Sequence, residues 1–147
     1  MFSNKRVSRN SIIYGLKNTI KKYEEIGVEI IFVHQVPLQI YSPKYVFLKS
    51  TKNNKQTDFK KIKNLSVDYV EHKQLQKFVR DNIKIIKKDH DFKEIDFDKF
   101  FCDNKKCLYG RNDTSYYSDK DHLSIKGALS LTREIEINFW SDACISL

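Results

Sequence analysis

The sequence has little of what marks a membrane-spanning or exported segment. No run approaches the roughly 20 apolar residues that a membrane helix needs, and no apolar stretch stands near Met1. Glycine and proline are scarce, with 4 and 2 residues in 147. The residues present are 40% hydrophobic and 13% aromatic, which is typical of a globular chain rather than a disordered one. We therefore predict a single domain over residues 1–147, without a membrane span or export signal.

Acidic residues are outnumbered by basic ones, 19 against 27, and the net charge is +8. Such a charge can indicate an anionic partner, namely nucleic acid, phospholipid or an acidic glycan. However, the lysines are scattered along the whole chain, and no zinc-finger spacing, RNA-binding aromatic signature or DNA-reading module accompanies them. We expect a solvated basic surface, with no nucleic-acid partner and no cofactor. Duplex DNA binding that persists at physiological salt would revive the nucleic-acid hypothesis.

The three cysteines cannot all pair within one chain, because their number is odd. Cys102 and Cys107 have four residues between them, so they can close a small disulfide loop in an oxidising compartment. Free thiols and a metal pair are the alternatives. The metal alternative lacks a second Cys/His pair at ligand spacing, since His34, His72 and His90 are isolated from one another in the sequence. The residues favour the disulfide and leave the other two states open.

In the first half of the chain, the spacing of apolar residues predicts a helix followed by a strand. The helix covers 11–23, where apolar residues recur three and four apart, and Gly27 is a natural end for it. Residues 28–33 form a nearly uninterrupted β-branched run, typical of a buried parallel strand that Pro37 would end. Residues 43–65 have no clear period, and we expect them to form a long surface excursion.

In the second half, a helix is predicted over 66–88, a weaker strand over 91–97 and a closing helix over 124–140 with Ser124 as its N-cap. The apolar stripes expected to face the core include Val70 and Leu75 in the first of these helices and Leu129 in the last. The order of elements predicts a layered α/β domain with a parallel sheet. Two convincing strands are too few for a doubly wound sheet of normal size, so we expect only part of such a domain.

A carboxylate and an imidazole stand three residues apart in the polar segment before the closing helix. In such a turn Asp119 can fold back onto His122, accept the Nδ1 proton and leave Nε2 pointing outward as a base. Asp121 is the other nearby carboxylate, but adjacent side chains usually point apart, so Asp119 is preferred. A capping arrangement is the alternative, because Asp-x-x-His near a helix start is common without any catalytic role.

The residues around this pair are a more specific signal than the Asp-x-x-His spacing alone. Residues 117–128 read Tyr-Ser-Asp-Lys-Asp-His-Leu-Ser-Ile-Lys-Gly-Ala. They resemble the last sequence block of SGNH-hydrolase domains. More narrowly, they are similar to the SGNH domain attached to membrane-bound acyltransferases that O-acetylate lipopolysaccharide and other cell-envelope glycans. In that family the pattern Tyr-x-Asp-x-x-His-Leu-Ser-x-x-Gly-Ala follows a short two-cysteine loop, as it does here after Cys102 and Cys107. The strand at 30–33, which leads to Pro37, is also similar to the family's strand-to-proline segment.

The resemblance implies a fold, a role for each matching residue and a location. The fold is a three-layer, flavodoxin-like parallel sheet flanked by helices, incomplete in this chain. His122 would be the general base and Asp119 its orienting carboxylate, while Gly127 would let the last helix pack closely. Cys102 and Cys107 would form a disulfide, which implies the outer, periplasmic side of the cytoplasmic membrane. The implied partners are an acyl donor, a cell-envelope glycan acceptor and an upstream membrane acyltransferase domain.

The sequence departs from the family in its nucleophile. An SGNH enzyme needs a serine in an early Gly-Asp-Ser block, together with oxyanion donors, and this sequence has no Asp-Ser dipeptide. Residues 110–113 match the family's Gly-x-Asn-Asp oxyanion spelling, but they lie just before His122 instead of far upstream, so an ordinary turn is favoured. Ser118 and Ser124 are better explained as turn and cap residues.

We therefore expect this chain to be the second half of an SGNH-like domain, contributing the Asp119–His122 half of a Ser-His-Asp site. The alternative is a non-catalytic binding or remnant domain in which the same pair is structural. The acyl donor, the acceptor glycan and the oligomeric state do not follow from these residues.

Overall fold

A computed structural model of the chain describes residues 3–51, 56–111 and 114–139; Asn112, Asp113, Trp140 and Cys144 lie outside these ranges. The elements are α1 (Ser3–Glu25), β1 (Ile31–Val33), α2 (Pro43–Ser50), α3 (Phe59–Leu65), β2 (Val67–Asp68), α4 (Tyr69–Ile86), β3 (Lys93–Ile95), α5 (Asp98–Phe101), β4 (Lys106–Cys107), β5 (Gly110–Arg111), β6 (Thr114–Ser115) and α6 (Ile125–Phe139). They pack as two compact units. Unit 1 holds Met1–His34 with Gln76–Ile95, and unit 2 holds Gln35–Leu75 with Asp96–Leu147. None of the helices described is long and apolar enough to cross a membrane.

The core of unit 1 lies between two helices and one face of a parallel strand pair. β1 and β3 pair in parallel, with Phe32 opposite Glu94. The buried members of this core, from α1, α4 and the residue just before β3, are Ile20, Ile83, Ile86 and Phe92. Phe32 packs against them. The helix-to-strand unit and the parallel pairing expected from the sequence are therefore present.

The opposite face of this strand pair is open to solvent. Successive side chains of a strand point to opposite faces, and Ile31 and Val33 are 44% and 54% exposed. The expectation that the run 28–33 is buried as a whole was wrong, because helices cover only one of its faces. Within the described residues unit 1 has two layers, so the three-layer sheet stays a prediction.

α1 ends at the glycine expected to end it. Gly27 has a φ of +72°, in the left-handed region that glycine adopts without strain. Its amide donates to the carbonyl of Glu24, and the amide of Val28 donates to that of Tyr23. These two bonds are those of a Schellman motif, which turns the chain out of the helix.

Unit 2 is built from short elements. β2 pairs antiparallel with β4, and β5 pairs antiparallel with β6. The helices α2 and α3 lie within 43–65, where no regular element was expected, and they bury Val46 and Ile62. Each begins at a polar cap, Ser42 and Asp58 respectively, whose side-chain oxygen accepts main-chain N–H groups. Helices this short show no clear apolar period, so the sequence pattern did not indicate them.

An aromatic cluster fills unit 2 beside a disulfide. Cys102 is bonded to Cys107, as the family resemblance implies. The ring of Tyr117 contacts the rings of Tyr109 and Phe101, with centroids 5.2 Å and 5.7 Å away. All three rings belong to residues that are almost fully buried. The disulfide loop and the segment leading to His122 therefore share one core.

α6 begins at the predicted cap and packs closely against the preceding chain. The hydroxyl of Ser124 accepts from the amide of Gly127 at 2.9 Å and donates to the carbonyl of Ser115 at 2.8 Å. A Cβ added to Gly127 would lie 2.0 Å from the carbonyl oxygen of Tyr116. Only glycine therefore permits this approach without displacing the main chain.

The buried faces of α4 and α6 differ from the predicted stripes. In α6, Leu131 is buried, whereas Leu129 is 67% exposed. In α4, Val70 is exposed, whereas His72 is buried and hydrogen-bonded to Asp98. The apolar pattern failed here because a paired polar side chain can occupy a buried position.

Gly127→Ala is expected to destabilise the protein by about 1–3 kcal/mol, since the added methyl would overlap the carbonyl of Tyr116. Gly15→Ala in α1 is the matched control. No atom lies within 4 Å of a Cβ built there, and alanine is the better helix former by about 1 kcal/mol. Urea unfolding followed by circular dichroism compares the two. Equal midpoints for both variants would contradict the close approach at Gly127.

Candidate active site

Asp119 and His122 lie in a turn between β6 and α6, here called the site turn (residues 117–123). Tyr117 and Leu123 pair across its base, and the amide of Ser118 donates to the carbonyl of His122 at 2.9 Å. The hydroxyl of Ser118 also contacts that carbonyl, at 3.2 Å. These bonds close the turn and bring the two predicted site residues together.

The carboxylate of Asp119 divides its oxygens between the main chain and the imidazole. Oδ1 accepts from the amides of Asp121 and His122 at 2.9 Å and 2.8 Å. Oδ2 lies 2.8 Å from Nδ1 of His122. With Nδ1–H donated to the carboxylate, a neutral imidazole carries its lone pair on Nε2. The arrangement is therefore that of a proton acceptor oriented by a carboxylate.

These contacts set the charges of the pair. The hydrogen bond that Nδ1–H of His122 donates to Asp119 raises the pKa of His122, and the charges of Asp119 and Asp121 act in the same direction. The amides of Asp121 and His122, followed by the imidazole, hold the pKa of Asp119 well below its usual range. Asp119 is thus ionised at neutral pH. His122 is mainly the neutral imidazole, which is able to act as a base, only at pH values above its raised pKa.

The raised pKa also links His122 to stability. Because folding favours the protonated imidazole, its contribution is fully present below the ordinary value of about 6.5. That contribution is lost as the pH rises through the raised pKa of the folded protein.

Asp121 is the weaker partner of the same ring. Its Oδ1 lies 3.3 Å from Nδ1 of His122, against 2.8 Å for Oδ2 of Asp119. The longer distance exceeds the usual range of N–H···O bonds. Asp119 is therefore the nearer of the two carboxylates to the ring, and its role as the orienting carboxylate stays a prediction.

The imidazole of His122 is largely exposed to solvent. The side chains of His122 and Asp119 are 74% and 54% exposed. In the part of the chain that the structure describes, no side-chain hydroxyl bonds to Nε2; Ser118 bonds to main-chain carbonyls and Ser124 caps α6. Two surface hollows, one along α1 and one beside residues 38–40, are lined by neither member of the pair. Among the residues that the structure describes, the pair can accept a proton but contacts no hydroxyl that it could activate.

Pairing alone does not distinguish His122, because each of the four histidines has a carboxylate partner. The side chains of His34 and His72 are buried, at 6% and 0% exposure, and that of His90 is 17% exposed. His122 is the one whose ring is open to a substrate. The sequence did not indicate the other three pairs, whose members are 26 or more residues apart.

The buried pair of His72 and Asp98 in unit 2 lies beside Cys102, and these three residue types are common metal ligands. Nε2 of His72 lies 2.8 Å from Oδ1 of Asp98, and Cys102 is close to both. However, the sulfur of Cys102 is bonded to Cys107, and Nζ of Lys73 lies 2.9 Å from Oδ2 of Asp98. A disulfide sulfur and a carboxylate already neutralised by lysine do not suit a metal ion. Asp119, Asp121 and His122 also lie close enough to hold a cation, but such exposed acidic groups are common without one.

Comparison with known proteins places these features in a family. A model described as the SGNH domain fused to AT3 domains matches residues 2–136. The chain belongs to this SGNH family. No curated protein and no solved structure matches it. The resemblance drawn from residues 102–128 is therefore confirmed, and both the disulfide loop and the site turn lie inside the matched part of this SGNH domain.

Membership in this family indicates the general functional class of the domain. AT3 domains are acyltransferase domains, so the chain is an acyltransferase-associated, hydrolase-like domain. Its α/β character agrees with this assignment.

Asp119→Asn is expected to lower the pKa of His122 toward about 6.5, because an amide supplies neither the charge nor the strong acceptor that now raises it. Asp121→Asn is the matched control and is expected to lower it less, given the longer distance to Nδ1. Titration of the imidazole resonances by NMR measures both shifts. Equal shifts in the two variants would contradict the assignment of Asp119 as the principal partner.

Proposed function

We propose that this SGNH domain supplies the acid/base half of a Ser-His-Asp site that transfers acetyl groups to hydroxyls of cell-envelope glycans. The observation that carries the proposal is the 2.8 Å contact between Oδ2 of Asp119 and Nδ1 of His122, with the ring otherwise exposed. In sites of this type the carboxylate orients the imidazole and stabilises the imidazolium without itself being protonated. Asp119, whose pKa the main-chain amides lower, suits that task.

His122 acts through Nε2 in both halves of the proposed reaction. In the first, Nε2 takes the proton of a serine hydroxyl while the serine oxygen attacks the carbonyl carbon of the acyl donor. The imidazolium then gives this proton to the leaving group. In the second, Nε2 takes the proton of a glycan hydroxyl while that oxygen attacks the acyl-serine, and returns it to the serine. The glycan gains the ester, and His122 ends unchanged.

The proposal places the serine and the oxyanion donors on polypeptide outside these 147 residues. The absence of an Asp-Ser dipeptide from the sequence supports this, as does the absence of a hydroxyl on Nε2 within the described residues. The exposed apolar side chains of Ile31 and Val33 support it too, because parallel sheets are normally covered on both faces. The AT3 domain to which SGNH domains of this family are fused is the proposed neighbour.

We place the domain on the outer, periplasmic side of the cytoplasmic membrane. The Cys102–Cys107 disulfide supports this location, because disulfides persist in oxidising compartments and are rare in the cytosol. Envelope glycans would meet the enzyme on that side.

A non-catalytic role for the pair is the second candidate. Oδ1 of Asp119 accepts two main-chain amides, so the carboxylate would hold the site turn even if His122 did no chemistry. The domain would then bind a partner or be a remnant. Removing the imidazole would leave acetylation unchanged.

His122→Ala, introduced into the gene in its host cell, is expected to lower ester-linked acetate on envelope glycans at least about a hundredfold, the usual contribution of a general base. Asp121→Asn, from the same turn, is the matched control and should retain acetylation. Acetate released by mild alkali is the measurement, with immunoblots to establish equal protein amounts. Normal acetate in the His122→Ala strain would reject the proposal in favour of the non-catalytic role.

The purified chain is expected to hydrolyse p-nitrophenyl acetate no faster than an equal concentration of free imidazole, since under this proposal the nucleophilic serine lies outside the chain. The comparison with His122→Ala isolates the contribution of this ring, and circular dichroism establishes that the variant is folded. A faster rate that disappears in His122→Ala would show that the nucleophile lies within the chain. The proposed placement of the serine would then be wrong.

A further inference from the structure

Tyr109 lies two residues beyond the disulfide and is completely buried. Its hydroxyl oxygen is 2.8 Å from the carbonyl oxygen of Asp119 and 2.9 Å from that of Tyr41. The single hydroxyl proton is therefore shared between two main-chain carbonyls, one of which belongs to the site turn. Nothing in the sequence pattern indicated a role for this tyrosine.

The surroundings of Tyr109 keep its hydroxyl a donor. Burial, and then the negative charge of Asp119, raise the pKa of Tyr109 far above its ordinary value. The hydroxyl consequently stays protonated at any pH at which His122 titrates. Its bond to the site turn persists while the imidazole gains and loses a proton.

Other buried groups bond to the main chain beside Tyr109 and to the site turn. The amide of Tyr109 donates to the hydroxyl of Ser66 at 2.9 Å. The side-chain amide of Gln39 donates to the carbonyl of Cys107 at 3.0 Å. The main-chain N–H of Gln39 donates to the carbonyl of Lys120 in the site turn at 2.7 Å. The site turn thus accepts hydrogen bonds from two buried donors, the Tyr109 hydroxyl and the main-chain N–H of Gln39.

We propose that Tyr109 is a positioning residue for the Asp119–His122 pair, an inference whose catalytic meaning rests on the proposed function. The carbonyl and the carboxylate of Asp119 belong to one residue, so a fixed carbonyl limits the main-chain rotations that would move the carboxylate. Without the hydroxyl, that carbonyl bonds to water, and the turn gains conformations in which Oδ2 and Nδ1 separate. Tyr109 thereby increases the fraction of molecules in which Nε2 is correctly oriented.

Tyr109→Phe removes the hydroxyl and keeps the ring that packs on Tyr117. Titration by NMR is expected to show a fall in the pKa of His122, in the direction of the Asp119→Asn variant. The amides of Asp121 and His122, which bond to the Asp119 carboxylate, should exchange with solvent about fivefold faster.

Tyr116→Phe is the matched control. It removes a hydroxyl from the same aromatic cluster, and within the described residues that hydroxyl makes no bond to the site turn. Neither the pKa of His122 nor the amide exchange is expected to change in this variant. A ring with a purely structural role would leave the His122 titration unmoved in both variants.

An unchanged His122 pKa in a folded Tyr109→Phe protein would overturn the proposal. If that variant does not fold, nuclear Overhauser effects in the wild-type protein decide. Contacts between the ring protons of Tyr109 and the α protons of Asp119 and Lys120 support it, and their absence refutes it. A lowered His122 pKa in Tyr109→Phe, combined with normal acetylation in the His122→Ala strain, would reject the proposed function and leave the positioning role intact.

Discussion

A single carboxylate in the site turn performs two tasks, and the geometry of the pair depends on both. Oδ1 of Asp119 accepts two main-chain amides and so gives the turn its shape, while Oδ2 contacts Nδ1 of His122. The shape of the turn and the orientation of the ring are therefore coupled. An exposed ion pair is worth little on its own. Here the amides of Asp121 and His122 add directed hydrogen bonds to the carboxylate of Asp119. The main-chain carbonyl of the same residue accepts a hydrogen bond from the buried Tyr109.

Each unit of this SGNH domain exposes a feature that other polypeptide normally contacts. In unit 1, Ile31 and Val33 expose an apolar sheet face; in unit 2, His122 exposes a ring with no hydroxyl described beside it. Burying such a face removes apolar area from water, and a general base needs a proton donor within hydrogen-bond reach. The exposed sheet face and the exposed ring both support the proposal that this domain works together with additional polypeptide.

Local features of the fold were predictable from the sequence where the interacting residues are close along the chain. The end of α1 at Gly27, the cap at Ser124 and the contact of Asp119 with His122 each depend on bonds between residues five or fewer apart. Spacing and residue type carry that information directly. The short helices between 43 and 65 were missed because their apolar periods are too brief to detect, although their caps are local.

The sequence by itself determined the family and indicated the candidate pair and the two-cysteine loop, because these depend on residue types at fixed, short separations; the structure showed that the two cysteines are bonded. Only the tertiary structure decided that Leu131 and not Leu129 faces the core and that the strand at 31–33 is covered on one side. Only it brought the Tyr109 hydroxyl to both Asp119 and Tyr41, the latter 68 residues away. A hydrogen bond between distant segments leaves no periodic trace, since it depends on how several elements pack together. The residues that could do chemistry were thus visible in the sequence, while the groups that hold them in place became visible only after folding.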